Sequence, residues 1–117
     1  MDTFSKHVGL LVGGKGIKVA SPTSTAAVTL TANEIHVEVV LPATGDGDVN
    51  LPLPSEAAGQ LFCIYTPKDG AGGTATVMAP DLDLTYTAIG TQMTGGDGYN
   101  LLYCNGIRYI AFASAAT

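Results

Sequence analysis

Residues that break helices are spread so evenly through this chain that little room remains for a helix. Fifteen glycines and six prolines punctuate the 117 residues. No window of a dozen residues carries an apolar stripe at i, i+3, i+4 and i+7 that is free of breakers. Short alternation recurs instead, and alternation with period two is the mark of a half-buried strand. Within 28–41, Val28, Leu30 and Ala32 alternate with Thr29 and Thr31, and Asn33 marks a turn or bulge. Ile35, Val37, Val39 and Leu41 then face one way while His36 and Glu38 face the other, until Pro42 ends the run.

Residues 43–50 read as a polar loop, and 49–53 as an edge strand at best, because Pro52 and Pro54 each lack a ladder donor. The run Leu61-Phe62-Cys63-Ile64-Tyr65 is apolar on both faces and predicts a central strand. Residues 74–79 and 82–89 read as further strands, and 94–98 as a Gly-rich turn. The clearest signal is Asn105-Gly106 between two apolar runs, a hairpin with a type I′ turn whose two central residues need positive φ. Evenly spaced strands of this kind predict an all-β fold in one domain: an antiparallel β-sandwich, jelly-roll-like, or a small barrel. An extended N-terminal arm over residues 1–22 precedes a body over 23–117.

Charge is scarce. Asp, Glu, Lys and Arg make up 13% of the chain, against roughly 25% in an ordinary soluble domain. Burial of surface against other copies is one remedy, and a symmetric oligomer is expected. Two segments, 61–65 and 107–112, carry apolar residues on both faces. Phe62, Ile64, Ile110 and Phe112 are therefore candidate oligomer-interface residues, the alternative being that both strands are simply central in a two-layer sandwich. The net charge of −5 argues against nucleic acid as a partner. Three of the five basic residues, Lys6, Lys15 and Lys18, fall in the first eighteen positions, so a locally basic arm precedes an acidic body. No run of eighteen apolar residues occurs, so no membrane span is expected, and the start lacks the features of a signal peptide. Cys63 and Cys104 are then expected as reduced thiols.

Each chemical motif lacks a required residue. Gly13-Gly14-Lys15-Gly16 invites a phosphate-loop reading, but Gly16 stands where a Ser or Thr must hold magnesium. Asp46-Gly47-Asp48-Val49-Asn50 opens like a calcium loop, yet Leu51 replaces the sixth-position Gly and Ala57 the terminal Glu. His7 and His36 are too few for a metal site, and both cysteines sit in apolar strands where thiols are inert. No nucleophile elbow or paired carboxylates appear. The chain is expected to be no enzyme and to carry no cofactor.

Three segments carry a resemblance: Val49-Asn50-Leu51-Pro52-Leu53-Pro54-Ser55-Glu56-Ala57-Ala58-Gly59-Gln60-Leu61-Phe62, Gly73-Thr74-Ala75-Thr76-Val77, and Gly95-Gly96-Asp97-Gly98-Tyr99 with the closing hairpin. The series resembles small β modules of tailed-bacteriophage virion proteins, of the capsid-decoration and head-fibre type. The resemblance implies a homotrimeric decoration (cement) protein on the outer head surface of a virion, bound to the major capsid protein, without chemistry. Lys6, Lys15 and Lys18 are the candidate capsid-binding residues of the arm. The alternative it leaves open is a tail-fibre or carbohydrate-binding module, with Tyr86, Tyr99, Tyr103 and Tyr109 to stack on sugar rings.

Overall fold

In the computed structural model, which describes residues 16–67 and 72–116, nine strands form two stacked sheets. They are β1 (Lys18–Ala20), β2 (Val28–Thr29), β3 (His36–Val39), β4 (Asp46–Asn50), β5 (Leu61–Tyr65), β6 (Thr74–Pro80), β7 (Tyr86–Thr94), β8 (Tyr99–Cys104) and β9 (Tyr109–Ala115). One 3-10 turn, Pro54–Glu56, leads into β5. The five-stranded sheet has the order β1-β3-β5-β8-β9, and the four-stranded sheet the order β2-β4-β6-β7. The protein is all-β and folds as one domain.

Strand direction departs from the antiparallel expectation. From β1 to β6 the chain alternates between the two sheets, so each return to a sheet adds a parallel neighbour. Lys18 pairs with Val37, and Val37 with Ile64. In the other sheet Val28 pairs with Val49, and Val49 with Val77. The first six strands thus form a flattened two-sided coil. Only the last three reverse: β7 on β6, β8 on β5 and β9 on β8 are antiparallel. Crossing between sheets at each turn is what permits short parallel connections, since a parallel pair within one sheet cannot be joined by a tight hairpin.

The core lies between the sheets. Phe62, Ile64, Val37 and Leu102 point in from one side, and Val49, Val77 and Met93 from the other, all at most 1% exposed. Burying a side chain of this size contributes about 1.5–3 kcal/mol. Segment 28–41 divides at the turn around Asn33 into β2 and β3, one in each sheet. The expected loop at 43–50 contains β4: Gly47 and Val49 turn inward while Asp46, Asp48 and Asn50 lie on the outer face. Residues 51–53 are not a strand. Residues 82–85 are a turn, with the strand running on to Thr94.

The Asn105-Gly106 hairpin forms, with a different turn. Gly106 has φ 90°, and Asn105 keeps a negative φ. Asn105 instead uses its side chain, whose Oδ1 accepts from Ile107 N and Arg108 N, both at 2.9 Å. Along one side the sandwich is closed where β7 meets β9: Thr94 N donates to Ala116 O at 2.9 Å, and the hydroxyls of Thr91 and Ser114 lie 2.7 Å apart. β1 also belongs to the sheet, and Pro22 is buried. Residues 18–22 are therefore part of the body rather than of the arm.

Candidate functional site

Three surfaces carry what this sandwich can offer a partner. The first is one end of it. The β6–β7 turn and the β8–β9 turn flank an open cleft of about 310 Å³, lined among others by Leu82, Ala88, Ile89, Ile107 and Arg108. Asp81 makes the β6–β7 turn rigid: its Oδ1 accepts from Asp83 N at 3.1 Å and Thr85 N at 3.0 Å. Leu84 is held at φ 67°, a left-handed conformation that costs a leucine on the order of 1 kcal/mol. The turn presents Leu82, 83% exposed, and Leu84 to solvent, and Ile107 is exposed across the cleft. β1 starts toward this same end, since it runs parallel to β5, whose first residue Leu61 lies opposite Tyr103 near the β8–β9 turn. Gly16 and Ile17 therefore point toward this end, although Ile17 is level with His36 and Cys63 and β1 stands three strands from β8.

The second surface is the outer face of the five-stranded sheet. Alternation turns Leu61, Cys63 and Tyr65 of β5 outward, with Tyr99, Leu101 and Tyr103 of β8 beside them. In β9 the register shifts: Leu101 lies opposite Ala113, and Leu102 opposite Ala111. Phe112 is the extra residue, 56% exposed, and Ile110 is 43% exposed. On β3 the face carries His36 and Glu38, the His36 ring 5.6 Å from that of Tyr65. Outside those two residues this face is apolar or phenolic, contrary to the usual solvated side of a sheet.

The third surface is the outer face of the four-stranded sheet, which is polar around Asp46 and carries Met78 and Ala88 farther along. Asp46 accepts hydrogen bonds from Thr74 Oγ1 at 2.7 Å, Thr76 Oγ1 at 3.0 Å and Gln92 Nε2 at 2.9 Å. Burial pushes the Asp46 carboxyl up, but the bonds from Thr74, Gln92 and Thr76 outweigh it and hold its pKa below the ordinary value. Burial and the neighbouring Asp46 charge push Asp48 the other way. The alternation of β4 sets Asp46, Asp48 and Asn50 in a row along a flat face, where a calcium loop would wrap them round an ion. Among the described residues no group of three His, Cys, Asp or Glu side chains could hold a metal.

The residues singled out in the sequence fall as follows. Lys6, Lys15 and His7 lie outside the described residues, as does most of the Gly13–Gly16 motif. Lys18 is in β1, its Nζ 3.2 Å from Glu34 Oε2. Phe62 and Ile64 are at most 1% exposed and fill the core, so they offer no surface to a neighbour and are corrected as interface residues. The alternation that hides them brings Leu61, Cys63 and Tyr65 to the surface. Ile110 and Phe112 stand exposed on the outer face. Cys63 and Cys104 are unpaired, on opposite faces of the sheet. Tyr109 is buried, and its hydroxyl donates to Pro52 O at 2.6 Å, so it cannot stack on a ligand. Tyr99 and Tyr103 remain exposed. Leu82 and Leu84 were not expected at the surface, because their spacing reads as strand alternation; the signal for a turn was Asp81 and Asp83 at Asx spacing. No family model matches the chain, and no similar protein was found among curated proteins or solved structures.

Proposed function

We propose that this protein is a non-enzymatic structural component that attaches by one end to a larger protein surface, as a decoration (cement) protein does on a phage head. The reading takes its virion setting, its homotrimeric state and its partner, a major capsid protein, from the sequence resemblance. One observation carries it. Exposed Leu82, Leu84 and Ile107, with the cation Arg108, gather at one end of the sandwich, the end toward which β1 begins. An apolar end carrying a cation, in a chain whose residues 1–15 add Lys6 and Lys15, suits an acidic surface with apolar hollows. A solitary domain gains nothing by holding leucines in water on a rigid turn.

The test is binding to undecorated heads of the phage that encodes the chain. The full chain binds, while a chain lacking residues 1–15 and the variant Leu82→Ser/Ile107→Ser each bind at least ten-fold more weakly. Equal binding by all three overturns the reading. A second reading, a carbohydrate-binding module, draws support from exposed Tyr99 and Tyr103, which could stack on sugar rings. Specific hits on a glycan array, lost in Tyr103→Ala, would favour it.

A further inference from the structure

The two outer faces of this sandwich differ in a way that a free monomer does not need. One is solvated by Asp46, Asp48, Asn50, Thr74, Thr76 and Gln92. The other is built from Leu61, Tyr65, Leu101, Tyr103, Ile110 and Phe112. We infer that the outer face of the five-stranded sheet is the surface through which copies of this chain associate. The inference rests on the proposed oligomeric role only for the number of copies; the surface itself is argued from its own geometry.

Area comes first. Five strands about 4.8 Å apart and about five residues long at roughly 3.3 Å each cover about 400 Å² in plan. The projecting rings make the accessible area larger. A patch of this size falls within the roughly 300–600 Å² of the largest patch on a typical monomer, which is often functional. Two such patches together approach the roughly 1,000 Å² at which specific interfaces begin. Composition is the second argument. Leucine and tyrosine on the inner strands β5 and β8, Ile110 and Phe112 on the flanking β9, and charge confined to β3 match the aromatic-rich, charge-poor make-up of an interface core. Charge is the third. The face carries one basic and one acidic group, His36 and Glu38, two residues apart on β3. A copy of the same face can therefore bring its His36 imidazole as a hydrogen-bond donor to Glu38, which an acidic partner could not do. Ser114, by contrast, sits at the closed edge against Thr91 and is already partnered within the chain.

The test is the mass of the full chain in solution, by light scattering and sedimentation at tens of micromolar. The wild type is expected above one chain mass: three if the face closes the proposed trimer, two if it pairs with itself across a two-fold axis. Leu101→Lys and, independently, Phe112→Glu are expected at one chain mass, with unchanged far-UV circular dichroism. Thr76→Glu, on the polar face, keeps the wild-type mass. Phe112 is exposed, so its variant folds even where Leu101→Lys does not. A monomeric wild type, or folded variants of undiminished mass, overturns the inference. No heads enter this measurement. A wild type that assembles but leaves heads bare sinks the attachment role and leaves this interface standing.

Discussion

The side chain of Asn100 grips the backbone of Thr91 in both directions. Its Oδ1 accepts from Thr91 N at 2.9 Å and its Nδ2 donates to Thr91 O at 3.0 Å. Asn100 belongs to the five-stranded sheet and Thr91 to the four-stranded one, so the pair ties the layers together beside the β7–β9 closure. The register shift in β7 makes room for it, with Gly90 at φ 74°. A Cβ at Gly90 would overlap Asn100 Oδ1.

Asn100→Ala leaves a backbone donor and acceptor of Thr91 without their partner in a part-buried site. A loss of about 2–3 kcal/mol is expected. Gly90→Ala should cost at least as much as the ordinary penalty for Ala at positive φ, about 1 kcal/mol, because it also displaces the amide. Urea unfolding of both variants measures this. Losses under about 0.5 kcal/mol would show that the sheets are held without the pair.

Asp46 and Asp48 should respond to pH with opposite signs. The Asp46 pKa is lowered in the fold, so its contribution is full above the ordinary carboxylate value and is lost as pH falls through the lowered one. The Asp48 pKa is raised, so its charge weakens the fold at neutral pH and the penalty lifts as the acid form returns. Asp46→Asn is therefore expected to destabilise by about 1–2 kcal/mol at pH 7. Asp48→Asn should be neutral or stabilising by at most about 0.5 kcal/mol. Thermal melts from pH 7 to pH 3 check both, and the difference between the variants should shrink toward pH 3.

Tyr109→Phe removes the donor to Pro52 O and leaves a buried carbonyl unpaired, for an expected cost of about 1–2 kcal/mol. Burial, with the adjacent Cys104, drives the Tyr109 hydroxyl far above the ordinary tyrosine range. In an absorbance titration of the folded protein, the tyrosinate signal lost by Tyr109→Phe should be absent until the protein unfolds in base.

The two thiols should separate cleanly. Cys63 lies on the outer face with its pKa raised by burial, and Cys104 points inward with Sγ 3.3 Å from Pro54 O. The thiolate is the reactive form, so maleimide should label Cys63 slowly at pH 7 and faster as pH rises. Cys104 should label only on unfolding. Mass spectrometry of a partial reaction distinguishes them. In Phe112→Glu, where association is lost, Cys63 should label faster than in the wild type.

Alternation made the strands legible wherever one face is apolar and the other polar, as from Ile35 to Leu41, and the Asn105-Gly106 hairpin was legible from its turn residues. β4 was hidden, because Asp46, Gly47 and Asp48 are depleted in strands generally and form one here through the Thr74, Thr76 and Gln92 donors, which lie far along the chain. Parallel pairing was hidden as well, since period two reports a face and says nothing of direction. The coil left no repeat to find, because its successive turns differ in length. Of the surfaces, the double-sided apolar character of 61–65 was visible. Which residues of it face out depends on register with β8, which one strand alone does not reveal.

Gly16 and Ala116 leave the sandwich toward opposite ends, since β1 and β9 both run away from the end that holds the β8–β9 turn, and Gly16 precedes the one while Ala116 follows the other. Tension applied between those two points acts along the strand axes. β1 is then held as a lap joint, its pairs Lys18 with Val37, Val19 with Glu38 and Ala20 with Val39 bearing load together rather than parting in sequence. Forced unfolding is governed by the unfolding rate, not by the equilibrium free energy. A molecule anchored at one end and tugged at the other should therefore resist more than its melting temperature would indicate, whereas a sideways pull on the same strand would strip it pair by pair.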